Sequence, residues 1–267
     1  MRQDQLMNKP GKLFFAFMLL LSVHGYSQNF LSVSAGYGFP LASEVVARRS
    51  NYSSFETKNI NGSFGQGFNV AVGLTRMFTE EIGASVEMQL KLGRTYESTW
   101  EQTRQDGENP NGIVTGNDRS TDRSGINYLA LSPGVFLKTN RGSIHPYSKI
   151  GFIAALAVRN TDYTDTYENS FKIETKGNIA FGAFATAGIE YEIKNHIFYV
   201  EFSAIAMSWQ ATTAKSIPNA KENLYYYENG TNWPSPKWVA SKTEEFSVNY
   251  TYPLSSWNLN VGVKFGL

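Results

Sequence analysis

The sequence has no cysteine. That excludes disulfides, thiolate metal sites, a cysteine nucleophile and a lipid anchor carried on an N-terminal cysteine. It has no excess charge of either sign, with 24 Lys and Arg against 23 Asp and Glu. Neither the basic footprint of a nucleic-acid binder nor an acidic tail is present. Histidine is scarce, at three residues. After Gln28 no run approaches the roughly 18 apolar residues that a transmembrane helix requires. Abundant instead are 23 Gly, 15 Tyr and 18 Phe, residues that favour strands and tight turns.

The N-terminus reads as a targeting segment. Lys9 and Lys12 precede an apolar run from Leu13 to Val23, and Gly25 and Ser27 supply small residues before a cleavage point at Gln28. A run of about 11 apolar residues is too short to anchor in a bilayer as a helix. The expected organisation is a signal peptide over 1–27 and one exported domain over 28–267.

That domain alternates with period two. Leu31, Val33, Ala35, Tyr37 and Phe39 interleave with Ser32, Ser34, Gly36 and Gly38. Phe68, Val70, Val72 and Leu74 form a second apolar file. Ala84, Val86, Met88, Leu90 and Leu92 form a third, against Ser85, Glu87, Gln89, Lys91 and Gly93. Similar files run from Leu129 to Leu137, Ile150 to Val158, Ile179 to Tyr191, Phe198 to Ala206 and Trp257 to Leu267. One face is apolar and the other small, polar or charged, the signature of eight strands. Two segments strain the pattern. Pro133 falls inside the fourth, where a ladder is expected to need a bulge. In the seventh, Ile205, Met207 and Trp209 occupy the polar face, which suggests a register slip.

Connections alternate in length. Short ones lie at 79–81, 139–145 and 194–196, and long ones at 40–62, 98–124, 160–176 and 211–253. With an even strand count, all short turns fall at one end and all long loops at the other, the asymmetry of an outer-membrane barrel with short periplasmic turns and long extracellular loops. Aromatics are expected in two girdles: Phe78, Tyr147, Tyr191 and Phe265 at the short-turn end, Tyr37, Tyr96, Trp100 and Trp257 at the long-loop end. The fold class expected is all-β, an antiparallel up-and-down transmembrane β-barrel of eight strands.

The final residues, Asn260-Val-Gly262-Val-Lys-Phe265-Gly-Leu267, resemble the C-terminal assembly signal of bacterial outer-membrane barrels. Such barrels commonly end in Phe; here Leu267 takes that place. From residue 29 to 267 the chain is similar in architecture to the small outer-membrane β-barrel family of OmpA and OmpX type. The resemblance implies residence in a Gram-negative-type outer membrane, contact with its lipid and lipopolysaccharide, handling by the barrel-assembly machinery, and a monomer. It also implies no periplasmic module, since the chain stops at the last strand.

Catalysis is not expected. Lipid-modifying barrels need a His beside a Ser near the outer leaflet, whereas His145 and His196 fall at short turns and read as solvated. Asp118, Asp122, Asp162 and Asp165 lack the spacing of a calcium loop, and Gly62–Gly67 lacks the Lys and helix of a phosphate loop. No cofactor or metal is expected. The inward face would carry Glu87, Gln89, Lys91, Lys149, Glu190, Glu201, Asn258, Asn260 and Lys264. Glu87, Lys149, Glu190, Glu201 and Lys264 are expected to form an ionic cluster near the periplasmic end, with Lys91 supplying a third positive charge. Eight strands enclose a space just wide enough for side chains to fill, so paired charges would close it. A narrow solute pore is the rival reading. A soluble lipocalin-like barrel is another, because alternation does not say which face is inside. The fourth long loop, with Tyr225, Tyr226, Tyr227, Trp233 and Trp238, could hold an extracellular ligand.

Overall fold

A computed structural model describes residues 28–41, 44–51, 54–109, 112–139, 142–166, 170–194, 196–218 and 243–267. The leader at 1–27 and the aromatic run Tyr225–Trp238 lie outside the described residues. The regular elements described are all strands: β1 (Gln28–Pro40), β2 (Glu44–Asn51), β3 (Glu56–Gly62), β4 (Gly67–Met77), β5 (Ile82–Gly93), β6 (Tyr96–Asn109), β7 (Gly112–Lys138), β8 (Ile144–Asp165), β9 (Ser170–Gly177), β10 (Ala180–Ile193), β11 (His196–Pro218), β12 (Glu244–Pro253) and β13 (Ser256–Gly266).

Eight of these hydrogen-bond in an antiparallel ring, in the order β1, β4, β5, β7, β8, β10, β11, β13 and back to β1. They are the eight alternating segments of the sequence. Tracing paired residues once around the ring from Tyr147, through Gly188, Glu201, Asn260, Gly36, Asn69, Lys91 and Tyr128, returns to β8 at Ala157, ten residues from the start. With a rise of about 3.3 Å and strands about 4.8 Å apart, that stagger tilts the strands roughly 40° and gives a backbone radius of about 8 Å.

Burial decides which face is inside. Val33, Val70, Val72, Met88, Leu131 and Phe152 are exposed on the outer wall, while Ser34, Asn69, Gln89, Lys91, Glu201 and Asn260 are buried in the lumen. A soluble barrel would place these sets the other way round. An apolar exterior over polar contents is what a bilayer demands of a strand wall whose backbone is satisfied around a closed ring.

Both strained segments keep their register. β7 passes Pro133 without a bulge; its pairing with β8 lapses at residues 132–133 and resumes at Gly134 in the same frame. β11 pairs continuously with β10 and β13, and Ile205, Met207 and Trp209 are inward because the outer half of the lumen is itself apolar. The long connections are β-structure rather than irregular loops. β7, β8 and β11 run 27, 22 and 23 residues, against the 9–11 that cross a bilayer. Their surplus pairs with β6, β9 and β12 to form a crown beyond the ring. The short connections and both described chain ends gather at the opposite end, where Leu267 N–H donates to the Asn29 carbonyl at 2.9 Å.

Candidate functional site

The lumen is filled in two storeys. In the lower one, Lys149 Nζ lies 2.7 Å from Glu201 Oε2 and 3.4 Å from Glu87 Oε2. Glu201 also accepts from the Tyr147 hydroxyl at 2.8 Å and from Asn260 Nδ2 at 3.1 Å. Ladder geometry explains this convergence. Glu201 and Asn260 are directly opposite on β11 and β13, and Tyr147 reaches Glu201 across Gly188. A β-carbon at Gly188 would come within 2.4 Å of the Tyr147 ring, so only glycine lets the phenol lie there.

Nearer the short-turn end, Lys264 pairs with Glu190. Its ammonium is also ringed by Phe136, Tyr147 and Tyr199, with centroids at 4.3, 4.8 and 5.3 Å. Such rings offer a buried cation their negative faces. Five of the six expected charges are thus gathered into a triad and a pair. Lys91 is not among them. It reaches over Gly38 to Asn258 Oδ1 at 2.6 Å, a correction that follows from the stagger. Opposite Asn69 and Tyr128 in the ladder, Lys91 sits too far up the barrel to serve the carboxylates. A cavity of about 20 Å³ remains among Glu87, Gln89, Lys149, Thr186 and Asn260, room for about one water.

The upper storey is apolar. Ile126, Ile153, Ile205, Met207, Trp209 and Leu254 are buried together, and Trp209 Nε1 donates to the Asn178 carbonyl at 3.0 Å. The connections 63–66 and 254–255 fold over this core. Phe64 N–H donates to the Pro253 carbonyl at 3.0 Å and Leu254 N–H to that of Met207 at 3.0 Å, and Phe64 packs edge-on against Tyr96 and Tyr252. Arg159 closes the top, donating to the Tyr252 hydroxyl at 2.7 Å with its guanidinium 4.9 Å from that ring. On the same inner wall, burial raises the Asp122 carboxyl above its ordinary range, against the pull of Arg159.

Other expectations are corrected. Tyr147 and Tyr96 are buried inward rather than girdle residues. Tyr147 shares the odd parity of Lys149 along β8, a signal present in the sequence. Phe78, Tyr191 and Trp257 do face outward. His145 is buried, not solvated, with Nδ1 3.2 Å from the Thr139 carbonyl and Nε2 3.9 Å from Glu192; His196 is exposed beside Phe265. Asp122 and Asp162 are ladder positions, and Asp162 lies opposite Arg123 and Lys172. Among the described residues no group of three or more His, Asp or Glu side chains converges as a metal site would. In the terminal motif, Asn260 and Lys264 point into the lumen, Phe265 lies opposite Leu31 and His196, and Leu267 is exposed.

No protein-family model and no curated protein matches the sequence. Solved structures of similar fold are bacterial outer-membrane β-barrels. Neisserial surface protein A (NspA) is 9% identical with a TM-score of 0.39, covering 90% of this chain and 99% of its own. A major outer membrane protein from Thermus thermophilus is 11% identical with a TM-score of 0.46, covering 91% and 100%. The outer membrane protein OprG from Pseudomonas aeruginosa is 11% identical with a TM-score of 0.43, covering 90% and 96%.

Proposed function

We propose that this protein is an integral outer-membrane barrel, exported by a cleaved leader, with a sealed lumen that supports a surface-displayed β crown and neither conducts solutes nor catalyses a reaction. The observation that carries this reading is the pair of stoppers in series: an ion-paired layer below and a dry apolar core above. Eight strands leave only enough interior for side chains, and here those side chains meet one another. An ion crossing would have to displace the Lys149 pairs and then enter an apolar layer, where an unpaired charge is costly.

The placement of the histidines supports a non-enzymatic role. His145 turns its ring nitrogens toward Thr139 and Glu192 at the short-turn end, far from the crown where an outer-leaflet or external substrate would arrive. Lipid and lipopolysaccharide would contact the apolar wall. The assembly machinery would read β13, whose last residues close the ring against β1.

Planar-bilayer conductance of the full protein beside a Glu87→Ala, Glu201→Ala variant tests the seal. The expected result is a silent wild type. Large, steady wild-type conductance unchanged by the two substitutions would replace this reading with the pore.

A further inference from the structure

Beyond the bilayer the sheet is open, and the chain shows why. Pairing of β1 with β13 ends at Pro40 opposite Ser256; proline has no N–H with which to extend the ladder. The chain then departs to form β2, which joins β3 and, in parallel, β6. β12, continuing outward from β13, is left with β11 as its partner among the described residues. Across the gap, β3 pairs with β2 alone among the described residues. The foot of this seam is stitched by Phe64 N–H to the Pro253 carbonyl at 3.0 Å and by the Ser63 hydroxyl to the Ser255 carbonyl at 2.6 Å. Outward from there β12 presents a row of main-chain donors and acceptors.

The two edges are unlike. β3 has seven residues and carries Glu56 and Lys58, short and charged in the way edges are usually protected. β12 has ten, and past Glu244 and Glu245 it reads Phe-Ser-Val-Asn-Tyr-Thr-Tyr, uncharged and without proline until Pro253. Tyr250 lies opposite Ala211 and Phe246 opposite Ala214. Both alanines are buried on the inner face, and paired residues share a face, so the two rings line the mouth of the crown. They remain 60% and 44% exposed. The edge therefore carries an unused ladder and an uncovered aromatic stripe at the spacing of one strand.

We infer that the free edge of β12 is an interaction surface for one extended segment of a partner polypeptide, added as a further strand of the crown with alternate apolar side chains on Phe246 and Tyr250. A polypeptide is the occupant because only an extended backbone offers alternating donors and acceptors at the 3.3–3.4 Å repeat of a strand. Lipid and sugar do not present that repeat. The inference rests on the reading of the crown as the outward part of a sealed barrel, but its test is independent of conductance.

The test is amide exchange on the full chain in lipid nanodiscs, with a capped synthetic peptide of alternating valine and threonine flanked by lysines. The control is the same peptide N-methylated at every second residue. In the free protein, β12 amides that point away from β11 should exchange fast and their neighbours slowly. The peptide should slow the fast set at least tenfold and leave β6 unchanged. Phe246→Ser with Tyr250→Ser should weaken that protection, and the N-methylated control should give none. Slow exchange of the seam-side amides in the free monomer would overturn the inference, as would peptide binding that leaves β12 unchanged. Protection that appears only with dimerisation would assign the edge to a second copy and also overturn it. A conducting barrel whose β12 still takes the peptide would sink the sealed-lumen reading alone; a silent barrel with an unresponsive β12 would sink this one alone.

Discussion

Replacing Lys149 by Met removes one ammonium that serves two carboxylates, Glu201 at 2.7 Å and Glu87 at 3.4 Å. Methionine keeps most of the volume, so packing changes little and the loss reports on charge. Glu201 retains the neutral donors Tyr147 and Asn260; Glu87 loses its ion pair. Stranding one member of a buried pair costs roughly 3–5 kcal/mol, and with two carboxylates sharing one cation the cost should sit near the top of that range, about 5 kcal/mol at pH 7. A stranded carboxylate can be neutralised by a proton from solution. The deficit should therefore shrink by about 1.4 kcal/mol for each unit the pH is lowered from 7 toward 5. Adding Glu87→Gln to Lys149→Met should recover about 2 kcal/mol, since the interaction energy of neighbouring groups is of that order. Denaturant unfolding in short-chain lipid vesicles, followed by tryptophan fluorescence at several pH values, measures all three quantities. A single-variant loss under about 1 kcal/mol, or one independent of pH, would mean that these groups are hydrated rather than paired and would refute the ionic stopper.

Gly188→Val should push the Tyr147 ring off its seat and cost about 1–3 kcal/mol by overpacking, whereas Gly266→Ala, with nothing within 4 Å of the added carbon, should be neutral; the folded-band midpoint on a heated gel compares them. Met88 is exposed on the wall and Gln89 buried in the lumen, so Met88→Arg should destabilise by about 2–4 kcal/mol and Gln89→Asn by much less, and equal losses in vesicle unfolding would contradict the assignment of faces. In the crown, the hydrogen bond and charge of Lys176 hold the Glu174 carboxyl below its ordinary range. That contribution is present above the ordinary glutamate range and lost as pH falls through the depressed value. Lys176→Met should move the Glu174 carboxyl titration upward by NMR, and an unmoved midpoint would show the pair to be absent in solution.

The ring was legible because each of its strands carries a hydrophobic side chain at every second position over many residues, as from Ala84 to Leu92, and because the turns after Met77 and Ile193 are short. The inward placement of Glu87, Lys149, Glu190, Glu201 and Lys264 followed from the same parity. Partnership did not. Which charge meets which depends on the ten-residue stagger, and that is a sum over eight registers that no single segment reveals; Lys91 shows the consequence. Ile205, Met207 and Trp209 looked misplaced because the lumen was taken to be polar throughout, whereas its contents change from ionic to apolar along one strand. The crown was read as loops because strands such as β6 and β9 are held by extending an existing ladder and need no apolar file of their own.

The ladder between β1 and β13 joins residues 28–40 to residues 256–266, and so bears on the order of events during folding. Every other seam of the ring joins neighbouring strands, through a short turn or through a crown hairpin, and can zip locally. This last one must wait until the far end of the domain has emerged. Until then the sheet is a ribbon with two bare margins and its lysines and glutamates on a face that is not yet a lumen. The equilibrium penalty for so large a loop is small, since each doubling of length adds only about 0.6 kcal/mol. The delay is kinetic: non-local pairing of this kind is slow and leaves sticky edges exposed meanwhile. Closure of the first strand onto the last should therefore be the committing step, and the triad around Lys149, which joins β8, β11 and β5, should gain most of its pairing only as that step completes.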